Sequence, residues 1–287
     1  MRNYHELQKA RWEEGLFVCI GLDTDPEKVP AHRRSALVES TMLHFNCDIV
    51  DATRDIVSAY KPNTAFYKAH GSAGIRALQA TTHYINLKAP DVPVILDDKS
   101  GDIGNTNNGH VKFAFEYCNA DALTINPYVG RMALEPFLAN GEKGFFILCR
   151  TSNPGAGEFQ DLPVQTEWAP DGTMFLYEYV AFRAAKDWNE INNCGVVVGA
   201  TVPDELLKVR QLVGDMPILI PGVGAQGGDL EAILKVCRDS TGQGMIINIS
   251  RSAIYASSGP DFADRARDEV VRMNQIIQRT LGITKGE

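Results

Sequence analysis

Short apolar runs recur along the chain and alternate with stretches of helical periodicity. Apolar residues spaced by three and four predict helices, with clear examples at 42–56, 75–85 and 262–281. Eight runs rich in β-branched and other apolar residues predict strands: FVCIGLD (17–23), AYKPN (59–63), PVILDDK (93–99), ALTINPY (122–128), GFFILCRTSN (144–153), CGVVVGAT (194–201), PILIPGVG (217–224) and GMIINISRS (244–252).

The order of these elements predicts an α/β fold. Apolar runs that are continuous rather than alternating indicate a sheet covered on both faces, which is typical of parallel strands. Eight strand–helix units in about 250 residues fit a closed (β/α)₈ TIM barrel better than an open sheet. We therefore predict one domain over 1–287, with a barrel core over about 17–257 and a C-terminal helix over about 260–282.

Two segments lie outside the repeating pattern. The first residues, MRNYHELQKARWEEG, lack the apolar core of a signal peptide and predict an exposed N-terminal helix. Residues 155–173, after the fifth predicted strand, are polar and irregular. A loop of that length in a compact domain is usually a lid or a binding loop, and sometimes only an insertion.

Composition restricts the partners and the compartment. The chain has 28 Lys and Arg residues against 36 Asp and Glu, a formal net charge of −8. This balance argues against nucleic acid and anionic membranes as partners, although it leaves room for a local basic pocket. No apolar run approaches the roughly 20 residues that span a bilayer.

Six scattered cysteines without a C-x-x-C pair favour reduced thiols in a cytoplasmic protein. The six histidines lack ligand spacing, so no metal site is expected.

Most predicted strands turn polar only at their ends. The active sites of TIM barrels form at the carboxyl ends of the strands, so these residues are candidates for chemistry. Polar turns at the ends of strands would explain one or two such residues. They explain less well why lysines and aspartates lie at the ends of three consecutive strands. The candidates are Asp23, Lys61, Asp97 with Lys99, Asn126, Ser152 and Arg251.

The most informative segment is the end of the third predicted strand. Side chains alternate along a strand, so Asp97 and Lys99 should point the same way, into the mouth of the barrel. Asp102 follows Gly101, where the chain can turn sharply. Carboxylates around an ammonium group favour the charged lysine and repel a further anion. The alternative interpretation is a solvated charged turn that opens a helix.

A glycine-rich segment follows the seventh predicted strand. Residues 222–227 have the form G-x-G-x-x-G, which also occurs in dinucleotide-binding domains. Those domains carry the motif after their first strand, so the context is wrong for a dinucleotide. In a TIM barrel, the loops after strands seven and eight commonly bind phosphate. The guanidinium group of Arg251 can make a bidentate contact with phosphate there. A purely structural role for the glycines would leave Arg251 unexplained.

These motifs together resemble those of orotidine 5′-phosphate decarboxylases. The segment D-x-K-x-x-D-I-G-N-T, from Asp97 to Thr106, is similar to that family's signature, and residues 17–257 carry its other signatures in the same order. The segment AFY and the long loop resemble the family's longer bacterial subgroup. Asp98 departs from the simpler pattern and is assigned no role. The other matching segments are GLDTDP, AYKPNTAFY, TSNPGAGEFQ, PGVGAQGGD and NISRSAIYA.

The resemblance implies a function and a set of residue roles. The function is decarboxylation of orotidine 5′-monophosphate (OMP) to UMP in pyrimidine biosynthesis, without a metal or an organic cofactor. Lys99 would donate the proton to C6 within a charged network completed by Lys61, Asp97 and Asp102. Asp23 would bind the ribose hydroxyls, and Gln226 would reach over the phosphate. The implied substrate-binding set is Asp23, Ile103, Thr106, Ser152, Pro221, Gln226, Gly228 and Arg251.

The resemblance also implies a homodimer with shared active sites. Asp102, Ile103 and Thr106 would reach into the site of the neighbouring subunit. Two other functions stay open: a related sugar-phosphate aldolase or decarboxylase of the same barrel group, some of which use magnesium, and a non-catalytic barrel that binds a nucleotide. A lysine that forms a Schiff base is disfavoured because flanking carboxylates raise the pKa of a lysine.

Overall fold

Eight parallel strands form a barrel in this computed structural model, which describes residues 2–200, 203–223 and 230–283. Their order around the sheet is β2-β1-β8-β7-β6-β5-β4-β3, and parallel bridges from Tyr60 to Val94 and from Asn63 to Asp97 join the two ends. The TIM barrel prediction and all eight predicted strand positions are confirmed. The strands are β1 (Val18–Gly21), β2 (Ala59–Lys61), β3 (Ile95–Ser100), β4 (Ala122–Ile125), β5 (Gly144–Arg150), β6 (Cys194–Val198), β7 (Ile218–Pro221) and β8 (Met245–Ile249).

Helices surround the barrel, as the apolar periodicity predicts. One π-helical turn follows α5 and another follows α8. No helix in the described ranges has the length and the apolar character that a membrane crossing requires. The helices are α1 (Tyr4–Glu13), α2 (Val38–Thr53), α3 (Thr64–Lys68), α4 (Gly71–Lys88), α5 (Thr106–Val111), α6 (Arg131–Leu138), α7 (Gly157–Gln160), α8 (Leu176–Arg183), α9 (Pro203–Val213), α10 (Leu230–Cys237), α11 (Arg251–Ile254) and α12 (Phe262–Leu281).

The interior of the barrel is filled by one layer of side chains. Every strand contributes one buried apolar residue to it, and the N-terminal helix contributes Tyr4. A second, larger cluster lies between the barrel and the helices. Strands buried on both faces therefore account for the continuous apolar runs of the sequence. The inner layer consists of Cys19, Ala59, Ile95, Ala122, Phe146, Val197, Leu219 and Ile246 with Tyr4.

The N-terminal helix is part of the core, so the prediction that it is exposed is wrong. Tyr4 is 2% exposed and lies edge-on to Phe146, with ring centroids 5.8 Å apart. Arg11 is also buried and donates to the carbonyl of Val57 at 2.9 Å. The polar surface of the helix hides this role in the sequence, because only a few of its residues enter the barrel end.

The long segment after β5 is more ordered than its sequence predicts. It contains α7 and a hairpin of two antiparallel strands, Pro163–Gln165 and Thr173–Phe175. Arg150, at the end of β5, is 2.8 Å from the carboxylate of Asp161 in this segment and 2.7 Å from that of Glu205 on α9. These ion pairs fix the segment beside the mouth of the barrel.

Candidate active site

The site lies one layer above the apolar core. Side chains alternate along a strand, so the residue two positions beyond each core residue also faces the barrel interior. This rule places Lys61, Asp97, Thr124 and Asn248 at the carboxyl end of the barrel. Lys61, Asp97 and Asn248 line a cavity of about 250 Å³, and Thr124 contacts Asp97 at its edge. The cavity is lined by Asp23, Lys61, Asn63, Asp97, Lys99, Pro221, Gly222, Val223, Asn248, Ser250 and Arg251.

Asp97 is the centre of the polar cluster. Its Oδ2 atom accepts a hydrogen bond from Nζ of Lys61 at 2.8 Å, and its Oδ1 atom accepts one from Nζ of Lys99 at 2.6 Å. The hydroxyl of Thr124 donates to Oδ1 at 3.0 Å, and the amide of Asn63 approaches Oδ2 at 3.4 Å. Both carboxylate oxygens are thus shared between charged and neutral donors.

The two buried partners hold each other in their charged forms. Burial alone would raise the pKa of Asp97, but the two ammonium groups of Lys61 and Lys99 outweigh it and hold that pKa well below its usual range. Burial alone would lower the pKa of Lys61, but the carboxylates of Asp97 and Asp23 raise it well above its usual value. The side chain of Lys99 is 43% exposed, so its ammonium group remains accessible from the cavity.

Lys99 is held in an unusual backbone conformation. Its φ angle is +52°, in the left-handed region that non-glycine residues rarely occupy. The pairing of β3 with β4 shifts register between Leu96 and Ser100, so β3 bulges there. Bulges next to active sites re-aim side chains. The prediction that Asp97 and Lys99 both face the mouth is confirmed, but by a bulge rather than by plain strand alternation.

Further hydrogen-bonding groups line the cavity at the ends of β1 and β8. The hydroxyl of Ser250 donates to Oδ2 of Asp23 at 2.8 Å and to the carbonyl of Gly21 at 3.0 Å. The Oδ1 atoms of Asp23 and Asn248 are buried and have no hydrogen-bond partner within the described residues. Unsatisfied buried acceptors are costly, so two of them on one wall favour a ligand that brings hydroxyl or amide donors.

Residues at the ends of β7 and β8 also line the cavity. They are Pro221 and Gly222 at the end of β7, and Arg251, the exposed first residue of α11, after β8. Gly222 has a φ angle of +93°, which glycine adopts without strain. The predicted phosphate residues Gln226 and Gly228 lie outside the described residues.

The other predicted site residues do not line this cavity. Asp102, Ile103 and Thr106 are exposed on the segment after β3. Asp102 therefore does not join Lys61, Asp97 and Lys99 within one chain. Ser152 follows β5 and packs closely over Gly199, since a Cβ added to that glycine would lie 2.8 Å from the Cβ of Ser152.

Four residues of the site are absent from the predicted set. They are Asn63, Asn248 and Ser250, which line the cavity, and Thr124, which donates to Asp97. Thr124 and Asn248 follow a core residue by two positions, so the strand periodicity could have identified them. Asn63 and Ser250 lie beyond the ends of their strands, where that periodicity no longer applies. No group of three or more His, Cys, Asp or Glu in the described ranges could hold a metal ion.

Comparison with known proteins identifies the family. Residues 17–266 match the profile of the orotidine 5′-phosphate decarboxylase / HUMPS family. The chain belongs to this family. Its orotidine 5′-phosphate decarboxylase relatives include the protein of Cellvibrio japonicus, which is 46% identical over 272 residues, 95% of this chain and 96% of that protein.

Solved structures of the same family share the fold. The OMP decarboxylase of Leishmania donovani is 33% identical with a TM-score of 0.80, over 96% of this chain and 98% of that one. The UMP synthase of the same organism gives a TM-score of 0.85 at 32% identity over 100% of this chain. The chain spans 58% of that longer protein. Membership of the orotidine 5′-phosphate decarboxylase family makes this chain an enzyme, a carboxy-lyase, and argues against the non-catalytic barrel.

Replacing Asp97 by Asn should destabilise the protein in a pH-dependent way. The change leaves Lys61 buried without its counter-ion, so we expect the free energy of unfolding to fall by about 3 kcal/mol at pH 7. Burial would then depress the pKa of Lys61 below its unfolded value of about 10.4, and the stability of the variant should rise between pH 7 and 10. The raised pKa of Lys61 in the wild type removes that dependence over the same range. Urea unfolding at several pH values measures both effects.

A matched control is Asp268→Asn, which removes the carboxylate of an exposed ion pair with Arg265. Exposed pairs contribute about 1 kcal/mol at most. The coupling of Asp97 and Lys61 would be contradicted if Asp97→Asn lowers the free energy of unfolding no more than this control does. A loss of stability that does not depend on pH would also contradict it.

Proposed function

We propose that this chain decarboxylates OMP to UMP and CO₂, with the ammonium group of Lys99 as the proton donor. The observation that carries the proposal is the position of Lys99, accessible at the cavity and 2.6 Å from the buried carboxylate of Asp97. Relatives named orotidine 5′-phosphate decarboxylase over nearly the whole chain support the same substrate. The reaction belongs to pyrimidine biosynthesis.

The chemistry needs a cation beside the carbon that loses CO₂. The bond between C6 and the carboxylate breaks, CO₂ leaves, and the electron pair stays on C6. The Lys99 ammonium stabilises this charge as it develops and then transfers a proton to C6, leaving a neutral amine that solvent reprotonates. Because Lys99 supplies the cation and the proton, the proposed reaction uses no metal and no organic cofactor.

No single contact can supply the whole rate acceleration. Enzymes lower barriers by up to about 23 kcal/mol for most slow reactions, whereas two unit charges 4 Å apart interact by about 4 kcal/mol near a protein surface. Asp97 adds to the effect of Lys99 by repelling the substrate carboxylate in the ground state. Binding of the distant ribose and phosphate supplies a further part of the energy.

The two ends of the cavity suit the two ends of a nucleotide. The acceptors of Asp23 and Asn248 on one wall fit ribose and base donors, and one oxygen of Asp23 is already fixed by Ser250. Arg251 and Gly222 follow β8 and β7, the strands after which TIM barrels bind phosphate. Gln226 and Gly228, which follow Gly222 in the sequence, are proposed to bind the same phosphate.

We also propose a homodimer in which Asp102, Ile103 and Thr106 complete the partner's site. Ile103 is 68% exposed, and Tyr128 and Met132 are each 89% exposed. Asn107 ties the Asp102 segment to α6 by donating to the carbonyls of Asp102 and Ala133. These exposed apolar side chains support an interface on the side of the barrel where α5 packs against α6.

The six cysteines, all free thiols, support a reducing compartment such as the cytoplasm.

Replacing Lys99 by Ala should abolish most of the turnover. Loss of a positioned proton donor costs about 10²–10⁴-fold, and the loss of its charge adds to this. The measurement is UMP formation from OMP, with Lys88→Ala, a change at the exposed end of α4, as the control. A Lys99→Ala variant that keeps more than about a tenth of the wild-type rate would rule out Lys99 as the proton donor.

Mixing two inactive variants tests the shared site. In a mixed dimer of Lys99→Ala and Asp102→Ala chains, one site would carry both defects and the other neither. Activity should therefore reappear after the subunits exchange, up to about a quarter of the wild-type value for random pairing with one intact site in half of the dimers. No recovery, with exchange confirmed by mass spectrometry of a tagged chain, would place Asp102 in its own subunit's site.

Replacing Arg251 by Ala should weaken only the binding of the substrate's phosphate group. A charged hydrogen-bond contact of about 1.5–3 kcal/mol corresponds to at least a tenfold loss of kcat/KM for OMP. Activity on the nucleoside without its phosphate should hardly change, because Arg251 then has no partner to lose. Arg238→Ala, at the other end of the barrel, is the control. Equal losses on both substrates would contradict the phosphate role.

A further inference from the structure

A second polar cluster lies directly behind the first, on the outer side of β3. Asp98 is the neighbour of Lys99 in the sequence, and only 5% of its side chain is exposed. Its carboxylate accepts hydrogen bonds from the hydroxyls of Thr64 and Ser100 and pairs with the ammonium group of Lys68. None of the roles described above uses this carboxylate.

The bond between Asp98 and Ser100 spans Lys99. Their side chains are 2.5 Å apart, and they flank the one residue of β3 with a positive φ angle. On the other side, the backbone N–H of Lys99 donates to the hydroxyl of Thr124 at 2.9 Å. The strained backbone is thus fixed from two directions. Such strain persists only where the surroundings impose it.

We propose that Asp98 is a positioning residue for Lys99, holding the bulge of β3 through Ser100 so that the Lys99 ammonium group faces the cavity. The carboxylate is itself anchored to α3 by the hydroxyl of Thr64, a residue that is 2% exposed. His110 adds a weaker contact, with Nδ1 3.9 Å from the Asp98 carboxylate. The proposal rests on Lys99 being the proton donor.

Asp98 is suited to this role because it stays ionised. Burial would raise the pKa of its carboxyl, but hydrogen bonds from Lys68, Ser100 and Thr64 outweigh burial and lower the pKa below its usual value. A charged acceptor binds a hydroxyl more strongly than a neutral one. The side chain of Lys68 is 52% exposed, so the contribution of its charge is screened and the two hydroxyls hold the geometry.

Steady-state kinetics on OMP separate positioning from a merely structural role. Asp98→Ala should lower kcat by about tenfold or more and leave KM within about twofold, since the cavity walls that bind the nucleotide are unchanged. Ser100→Ala, which removes one hydroxyl, should lower kcat by about fivefold, with the fold retained. Because both changes break the same bond, the double variant should lose little more than Asp98→Ala alone.

Two further variants separate the hydrogen bond to Ser100 from the ion pair with Lys68. Asp98→Asn keeps an oxygen acceptor for Ser100 and should restore kcat to within about threefold of the wild type. Lys68→Met removes the exposed ion pair and should leave kcat within about twofold. Circular dichroism and thermal unfolding confirm that each variant is folded.

Three results would overturn the proposal: single variants with wild-type kcat, multiplicative losses in the double variant, or a Lys68→Met loss equal to that of Asp98→Ala. The proposed function fails separately, if wild-type protein forms no UMP or if Lys99→Ala remains active. With an active wild type and an inactive Lys99→Ala, the Asp98 and Ser100 results therefore test positioning alone.

Discussion

One buried carboxylate, that of Asp97, determines the arrangement of the site. It lies between two ammonium groups, and the Lys61 side chain is almost completely buried. Burying an ion costs several kcal/mol unless a counter-ion is close, so Lys61 depends on Asp97. The second oxygen of Asp97 holds Lys99 at the cavity. The proposed reaction uses this constraint, since a fixed, charged donor next to a carboxylate needs no reorganisation when the substrate loses CO₂.

Much of the fold follows directly from the sequence. Strands buried on both faces are predominantly apolar, so β5 and β8 stand out in the chain despite Arg150 and Asn248. The apolar periodicity over 262–281 predicts α12 with the bounds that the helix has. The role of Tyr4 does not follow, because one aromatic residue in a polar helix carries no periodic signal. Its position depends on the space left at the end of the closed barrel, which is a tertiary property.

The candidate site is predictable only where strand geometry is regular. Lys61 and Asp97 follow inward-facing core residues by two positions, so alternation places them together. Lys99 reaches the same cavity through a bulge with a positive φ angle, which alternation does not describe. Asp102 illustrates a further limit: it is exposed in one chain, and a role in a second subunit depends on assembly rather than on the local sequence.

Product analysis of the wild-type reaction tests the central claim most directly. The protein, passed through a desalting column and assayed with a metal chelator, is incubated with OMP in D₂O, and the products are analysed by mass spectrometry and NMR. The charged array around Asp97 predicts UMP with one deuterium at C6 and one CO₂ released for each UMP formed. Unchanged OMP, a product that keeps its carboxyl group, or activity that disappears with the chelator would contradict it.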